Sequence, residues 1–158
     1  MKLWRIATET RKYRATDTTG AGAAINPGRW NEAGDAVLYA SSSVSLAVLE
    51  TAAHINACGL PLNRFLIRLD VPDAVWAGRE ELVAAKLPAT WKAIPAGAAS
   101  AAIGSQWIKS RRSAILLVPS VIVPEEHVAL VNPGHPDARK LKVVVARQFE
   151  YDSLFRDA

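Results

Sequence analysis

The sequence predicts a single α+β domain, residues 1–158, built on a mixed, mostly antiparallel sheet with a few helices. Three observations carry this. Short apolar runs with a period of two recur along the chain and crowd its last third, two stretches carry helix-capping and helix-stopping residues, and 158 residues fit one domain core without a covalent staple. Half of the residues are hydrophobic and 22% are charged, which excludes a disordered or collagen-like chain.

Taken in order, Leu3 to Ala7 reads as a strand, Thr16 to Ala24 as a loop, and Asn26-Pro27-Gly28 as a turn. Val37 to Ser41 is a short strand that places Val37, Tyr39 and Ser41 on one face. Ser42 and Ser43 are good caps for a helix from Val44 to Cys58, stopped by Gly59 and Pro61. Phe65 to Val71 is a strand, and Glu80 to Lys86 reads as one or two helical turns. Leu87 to Gly97 is an irregular connection carrying Trp91. A second helix runs from Ser100 to Lys109, with Ile103 and Trp107 four apart on one face. Strands at Ala114–Val118, Val121–Val123, His127–Val131 and Leu141–Phe149 complete the reading.

Charge and composition narrow the partners. Nineteen Lys and Arg against fifteen Asp and Glu give a net charge of +4, which favours anionic ligands. The basic residues are scattered, with no zinc-finger spacing or basic heptads, so direct DNA binding is not expected. The longest apolar stretch, Ala114 to Val123, is cut by Pro119 and Ser120, short of the roughly 18 residues a membrane helix needs. The lone cysteine, Cys58, makes no internal disulfide, and a cytoplasmic chain is the expectation. His54 and Cys58 lie four apart, but no second pair completes a metal site, so no metal or cofactor is expected.

Polar residues set against the apolar pattern mark the candidate site. Glu50 lies within a helix that is apolar almost all round and has no lysine or arginine three or four positions away, so it faces a pocket better than open water. Arg29 follows Asn26-Pro27-Gly28, a turn whose glycine lets the backbone approach a ligand, and precedes Trp30, a setting that suits phosphate or carboxylate recognition as well as simple stacking on the indole. Ser120 stands where one strand ends, suited to a turn or to a ligand. Asn132-Pro133-Gly134 reads as a turn.

In order, Gly28-Arg29-Trp30-Asn31, Val37-Leu38-Tyr39-Ala40-Ser41, Leu46-Ala47-Val48-Leu49-Glu50, Val118-Pro119-Ser120 and Val131-Asn132-Pro133-Gly134-His135-Pro136 resemble the RES domain family. The resemblance spans Leu3 to Val145. One departure is His127, after Glu125-Glu126, where the family pattern has asparagine. The resemblance implies a fold similar to ADP-ribosyltransferases and a bacterial toxin that consumes NAD as substrate, held inactive by an Xre-type antitoxin. It implies catalytic roles for Arg29, Tyr39 and Glu50, with Arg29, Trp30, Tyr39, Ser41 and Ser120 binding the dinucleotide. Water, phosphate or a protein acceptor would make the chain an NAD glycohydrolase, an NAD phosphorylase or an ADP-ribosyltransferase, and depletion of NAD by the first two is the leading expectation. The rival is a non-enzymatic interaction protein in which Arg29 and Glu50 pair inside the core.

Overall fold

Alternating apolar residues along short extended runs need a second layer on at least one face, and here one sheet supplies the frame. In the computed structural model, which describes residues 1–11, 13–54 and 62–151, seven strands form that sheet. They are β1 (Lys2–Thr8), β2 (Leu38–Ser41), β3 (Arg64–Asp70), β4 (Glu80–Glu81), β5 (Ile115–Pro119), β6 (His127–Val131) and β7 (Lys142–Phe149). Their spatial order is β4-β5-β6-β2-β1-β3-β7, antiparallel throughout except where β4 runs parallel to β5. The expected α+β class and mixed, mostly antiparallel sheet are therefore what the chain adopts.

The sheet has a gap at its centre. β1 pairs with β3 along Lys2–Thr8, yet its other edge meets β2 at the one position where Trp4 faces Ser41. Beyond that bridge the two halves diverge, and Arg5–Thr8 on one side and Leu38–Ala40 on the other border a cavity.

Four helices are described: α1 (Ala21–Ile25), α2 (Val44–Ala52), α3 (Asp73–Ala77) and α4 (Ala98–Ser110). Ser43 caps α2 as its sequence suggests, its Oγ accepting from the Leu46 amide at 3.1 Å. One sheet face buries Leu3, Ala7, Leu38, Ala40, Ile67, Leu69, Ala129 and Val131 together. The other packs Leu116, Val118 and Leu130 against Trp30, Trp91 and Trp107 from the long connection and α4, while Val44, Val48 and Ala52 of α2 cover Ile6 and Leu66. Each fully buried leucine, isoleucine or valine among them stabilises the fold by about 1.5–3 kcal/mol. Among the described residues no helix is long and apolar enough to cross a membrane.

Several elements differ from expectation. The α2 helix ends at Ala52 rather than running to Cys58, and residues 55–61, with Cys58 and the stop at Gly59 and Pro61, lie outside the described residues. It is also less enclosed: Leu46 and Ala47 are buried, but Leu49 is 45% exposed. The Thr16–Ala24 loop contains the start of α1, and α3 was not anticipated. Glu80–Lys86 splits into the short strand β4 and a 3₁₀ turn at Ala84–Lys86, because Glu80 and Glu81 find the edge of β5. Trp91 sits in another such turn, Ala89–Lys92. Val121–Val123 is a bend rather than a strand, since the Ile122 and Val123 amides turn back to the Ser120 hydroxyl.

Candidate active site

The Gly28-Arg29-Trp30-Asn31 turn is held from beneath by a fully buried asparagine. Asn31 Oδ1 accepts from the Gly28 amide and the Tyr39 hydroxyl, both at 2.9 Å, while Nδ2 donates to the carbonyls of Ala23 (2.8 Å), Glu32 (3.1 Å) and Asp35 (3.1 Å). The Tyr39 hydroxyl also accepts from the Trp30 amide at 2.9 Å. Glycine is required at 28 because a Cβ there would lie 2.7 Å from that hydroxyl. The glycine expected to admit a ligand thus admits a tyrosine from β2. Burial pushes the Tyr39 phenol up to about 12, with the Trp30 amide and Arg29 pulling the other way, so it stays a neutral donor near pH 7.

This lock aims Arg29. Its Nη1 donates to the Trp91 and Ala93 carbonyls at 2.7 and 2.9 Å, and among the described residues its Nε and Nη2 take no partner. The guanidinium is anchored on one side and open on the other. Trp30 itself is buried and stacks on Trp91 with ring centroids 6.2 Å apart, so its indole contributes to the site by fixing the turn.

Glu50 stands in the last turn of α2, where the helix dipole disfavours a carboxylate and no basic residue offsets it. Its Oε1 accepts from Ser120 Oγ at 2.7 Å. Ser120 is buried and fully committed: its oxygen accepts from the Ile122 and Val123 amides at 3.1 and 3.0 Å, which leaves its proton for Glu50. Among the described residues Glu50 Oε2 meets no partner. A local rule broken on a half-buried carboxylate, with one oxygen held and one open, makes Glu50 the candidate reactive group.

Arg29, Trp30, Tyr39, Ser41, Glu50 and Ser120 all line one cavity of ≈ 1140 Å³, large enough for a dinucleotide. Arg29 and Glu50 do not pair with each other; each has its own anchor. Ser41 is buried on the same strand face as Tyr39, at the bridge to β1.

Two further residues belong to the site. Asn31 was legible only as part of the motif. Arg5, from β1, lines the cavity across the gap, and burial pushes its guanidinium down to about 10 against the pull of Asp17, whose carbonyl it contacts at 3.4 Å. It therefore remains cationic at neutral pH. Its signal was a charged residue sharing a strand face with Leu3 and Ala7, two core positions. The facing main-chain edges of β1 and β2 add donors and acceptors that no side-chain pattern announces.

Elsewhere, His54 Nδ1 bonds the Glu50 carbonyl at 2.7 Å, and Cys58 lies outside the described residues. Among the described residues no group of three or more His, Cys, Asp or Glu could hold a metal. His127 does not line the cavity; its Nε2 lies 3.4 Å from Glu81 Oε1, joining β6 to β4 across β5.

The chain is similar to known proteins over nearly its whole length. Residues 2–153 match the model of the RES domain. The chain is 55% identical over 150 residues to a Prs ADP-ribosylating toxin of Sphingobium sp. (strain YBL2), covering 95% of this chain and 93% of that one. It is 40% identical over 135 residues to Toxin Res of Yersinia enterocolitica, covering 85% and 86% of the two chains. With Toxin Res of Photorhabdus laumondii it shares 34% identity over 154 residues, covering 97% and 96%. With an arginine presented from a glycine turn and a serine-held glutamate lining one cavity, and with these relatives over nearly its whole length, the chain belongs to the RES domain family and is a toxin of that family.

Proposed function

We propose that this toxin breaks the nicotinamide–ribose bond of NAD and passes the ADP-ribose to an acceptor. The observation that carries the reading is Glu50, one oxygen held by Ser120 and the other open to a dinucleotide-sized cavity that also presents Arg29. Nicotinamide is cationic on its ribose and departs neutral with the bonding electron pair, so the reaction needs little acid. It needs stabilisation of the oxocarbenium-like ribose left behind. Glu50 Oε2 would hydrogen-bond a ribose hydroxyl and oppose the growing positive charge, an interaction strengthened where water is excluded. The open edge of Arg29 would hold the pyrophosphate, with Arg5 as a second cation on the opposite wall. Tyr39 would offer its ring to the nicotinamide, while its hydroxyl keeps the arginine turn in place. Ser41 would line the base of the site at the β1–β2 bridge.

The acceptor we favour is a protein. A relative at 55% identity is named as ADP-ribosylating Prs, and Ile94 and Ile122, 85% and 43% exposed, stand among the residues lining the cavity, as an apolar rim for a docked protein would. Water or phosphate would give glycohydrolase or phosphorylase activity by the same first step, and a cavity of ≈ 1140 Å³ has room for either beside the dinucleotide. An Xre-type antitoxin covering the cavity mouth is the proposed partner.

Purified toxin should be incubated with NAD labelled in its adenylate half, with Prs and with phosphate. Label on Prs with matching nicotinamide supports protein transfer. Free ADP-ribose, or its phosphate ester, would move the reading to hydrolysis or phosphorolysis. No nicotinamide under any condition overturns it.

A further inference from the structure

Glu50 is only as well placed as the helix that carries it, and α2 is short, nine residues, with its working carboxylate near the far end. What fixes its near end is therefore part of the site. Ser43 Oγ, which caps α2 by accepting from the Leu46 amide, donates its own proton to Glu126 Oε2 at 2.6 Å. Ser42 Oγ reaches the same oxygen at 3.5 Å. Glu126 also closes the segment that carries Ser120, since its carbonyl accepts from the Ser120 amide at 3.0 Å and its amide donates to the Val123 carbonyl at 2.9 Å. One residue thus grips both bodies whose relative position sets the Ser120–Glu50 hydrogen bond: the start of α2 through its side chain, and the 120–126 loop through its main chain.

We infer that Glu126 is a positioning residue for Glu50, acting through Ser43 and α2 rather than by touching the substrate. The inference rests on the proposed role of Glu50. The physical basis is leverage. A carboxylate at a helix N-terminus is held both by the hydroxyl and by the dipole, and without it α2 keeps its apolar packing but loses the polar tie between its start and the 120–126 loop. Glu50 lies six residues beyond Val44, the first residue of α2, so a small tilt at the cap moves Oε1 off the Ser120 hydroxyl; misplacement by about 1 Å can cost about 10²-fold in rate. Glu126 does not line the cavity, which separates this role from substrate binding.

The test measures nicotinamide release and, separately, the ¹³C resonance of the Glu50 carboxylate, assigned by its loss in Glu50→Gln. Glu126→Ala should lower kcat by about tenfold or more with KM nearly unchanged, and should shift the Glu50 resonance. Glu126→Gln, whose amide oxygen still accepts from Ser43, should recover most of both, and it remains informative if the alanine variant folds poorly. In a Ser43→Ala background, Glu126→Ala should cost little more, because the link is already cut. Unchanged kcat, an equal cost in both backgrounds, or an unmoved Glu50 resonance would overturn the inference. A wild type that releases no nicotinamide would instead sink the role of Glu50 in NAD cleavage, while the resonance still decides the mechanical link.

Discussion

Asn31 is the keystone of the arginine turn, and removing it should be more damaging than any loss of apolar contact at that position. Asn31→Ala deletes an acceptor used by the Gly28 amide and the Tyr39 hydroxyl, and donors used by the carbonyls of Ala23, Glu32 and Asp35. Gly28 and Glu32 are exposed residues whose main chain can turn to water, which leaves two or three groups beneath the turn without partners. At about 1.5 kcal/mol for each group left unpaired, in the lower part of the usual range because Ala23 and Asp35 are only partly buried, the expected loss is about 3–5 kcal/mol. In a chain of this size that corresponds to a fall in Tm of roughly 6–20 °C. Asn31→Asp tests the same arithmetic from the other side. It keeps the acceptor but turns the donors into an oxygen facing three carbonyls, so it too should melt well below wild type. Thermal unfolding followed by circular dichroism measures both. If either variant melts within about 2 °C of wild type, the buried network is not what holds the turn.

Three further outcomes are expected. Gly104→Ala should destabilise by about 1–3 kcal/mol, because the added methyl would overlap the Trp30 carbonyl, whereas helix propensity alone predicts a gain of about 1 kcal/mol; the sign of the Tm change decides. Tyr39 favours the folded state as a neutral phenol, its folded pKa of about 12 standing above the unfolded value near 10. That contribution is complete below pH 10 and fades as pH rises towards 12, so Tyr39→Phe should flatten the alkaline loss of stability over that window in a pH series of urea melts. Finally, affinity for an Xre-type antitoxin should fall as salt rises if acidic residues of the antitoxin meet the net positive charge of this chain, and an affinity indifferent to ionic strength would remove that contact from the proposal.

Much of the frame was legible because strand alternation is a local property. The runs at Leu3–Ala7, Phe65–Val71, His127–Val131 and Leu141–Phe149 all become strands, within a residue or two at their ends. The misreadings occur where distant partners decide. Val121–Val123 has the composition of a strand, but the Ser120 hydroxyl captures its amides first. The helix α1 follows a left-handed Gly20 with no capping side chain, so nothing local announces it. For the site, Arg29, Glu50 and Ser120 stood out as polar residues against apolar or turn contexts, Tyr39 entered through the family resemblance, and one cavity gathers all four. Asn31 and Arg5 were harder to see because their importance comes from burial created by chain closure. Asn31 is held by carbonyls on both sides of it, and Arg5 borders a gap that exists only because β1 and β2 part after one bridge. At Gly28 the space read as room for a ligand is taken by Tyr39.

The most direct test is nicotinamide release from NAD by the wild type and by Glu50→Gln. The amide keeps the shape and can still accept from Ser120, so folding and Tm should be retained while the charge opposing the ribose cation is lost. The account predicts turnover by the wild type and a fall of about 10²-fold or more in the variant. Equal rates from two equally folded proteins would contradict it.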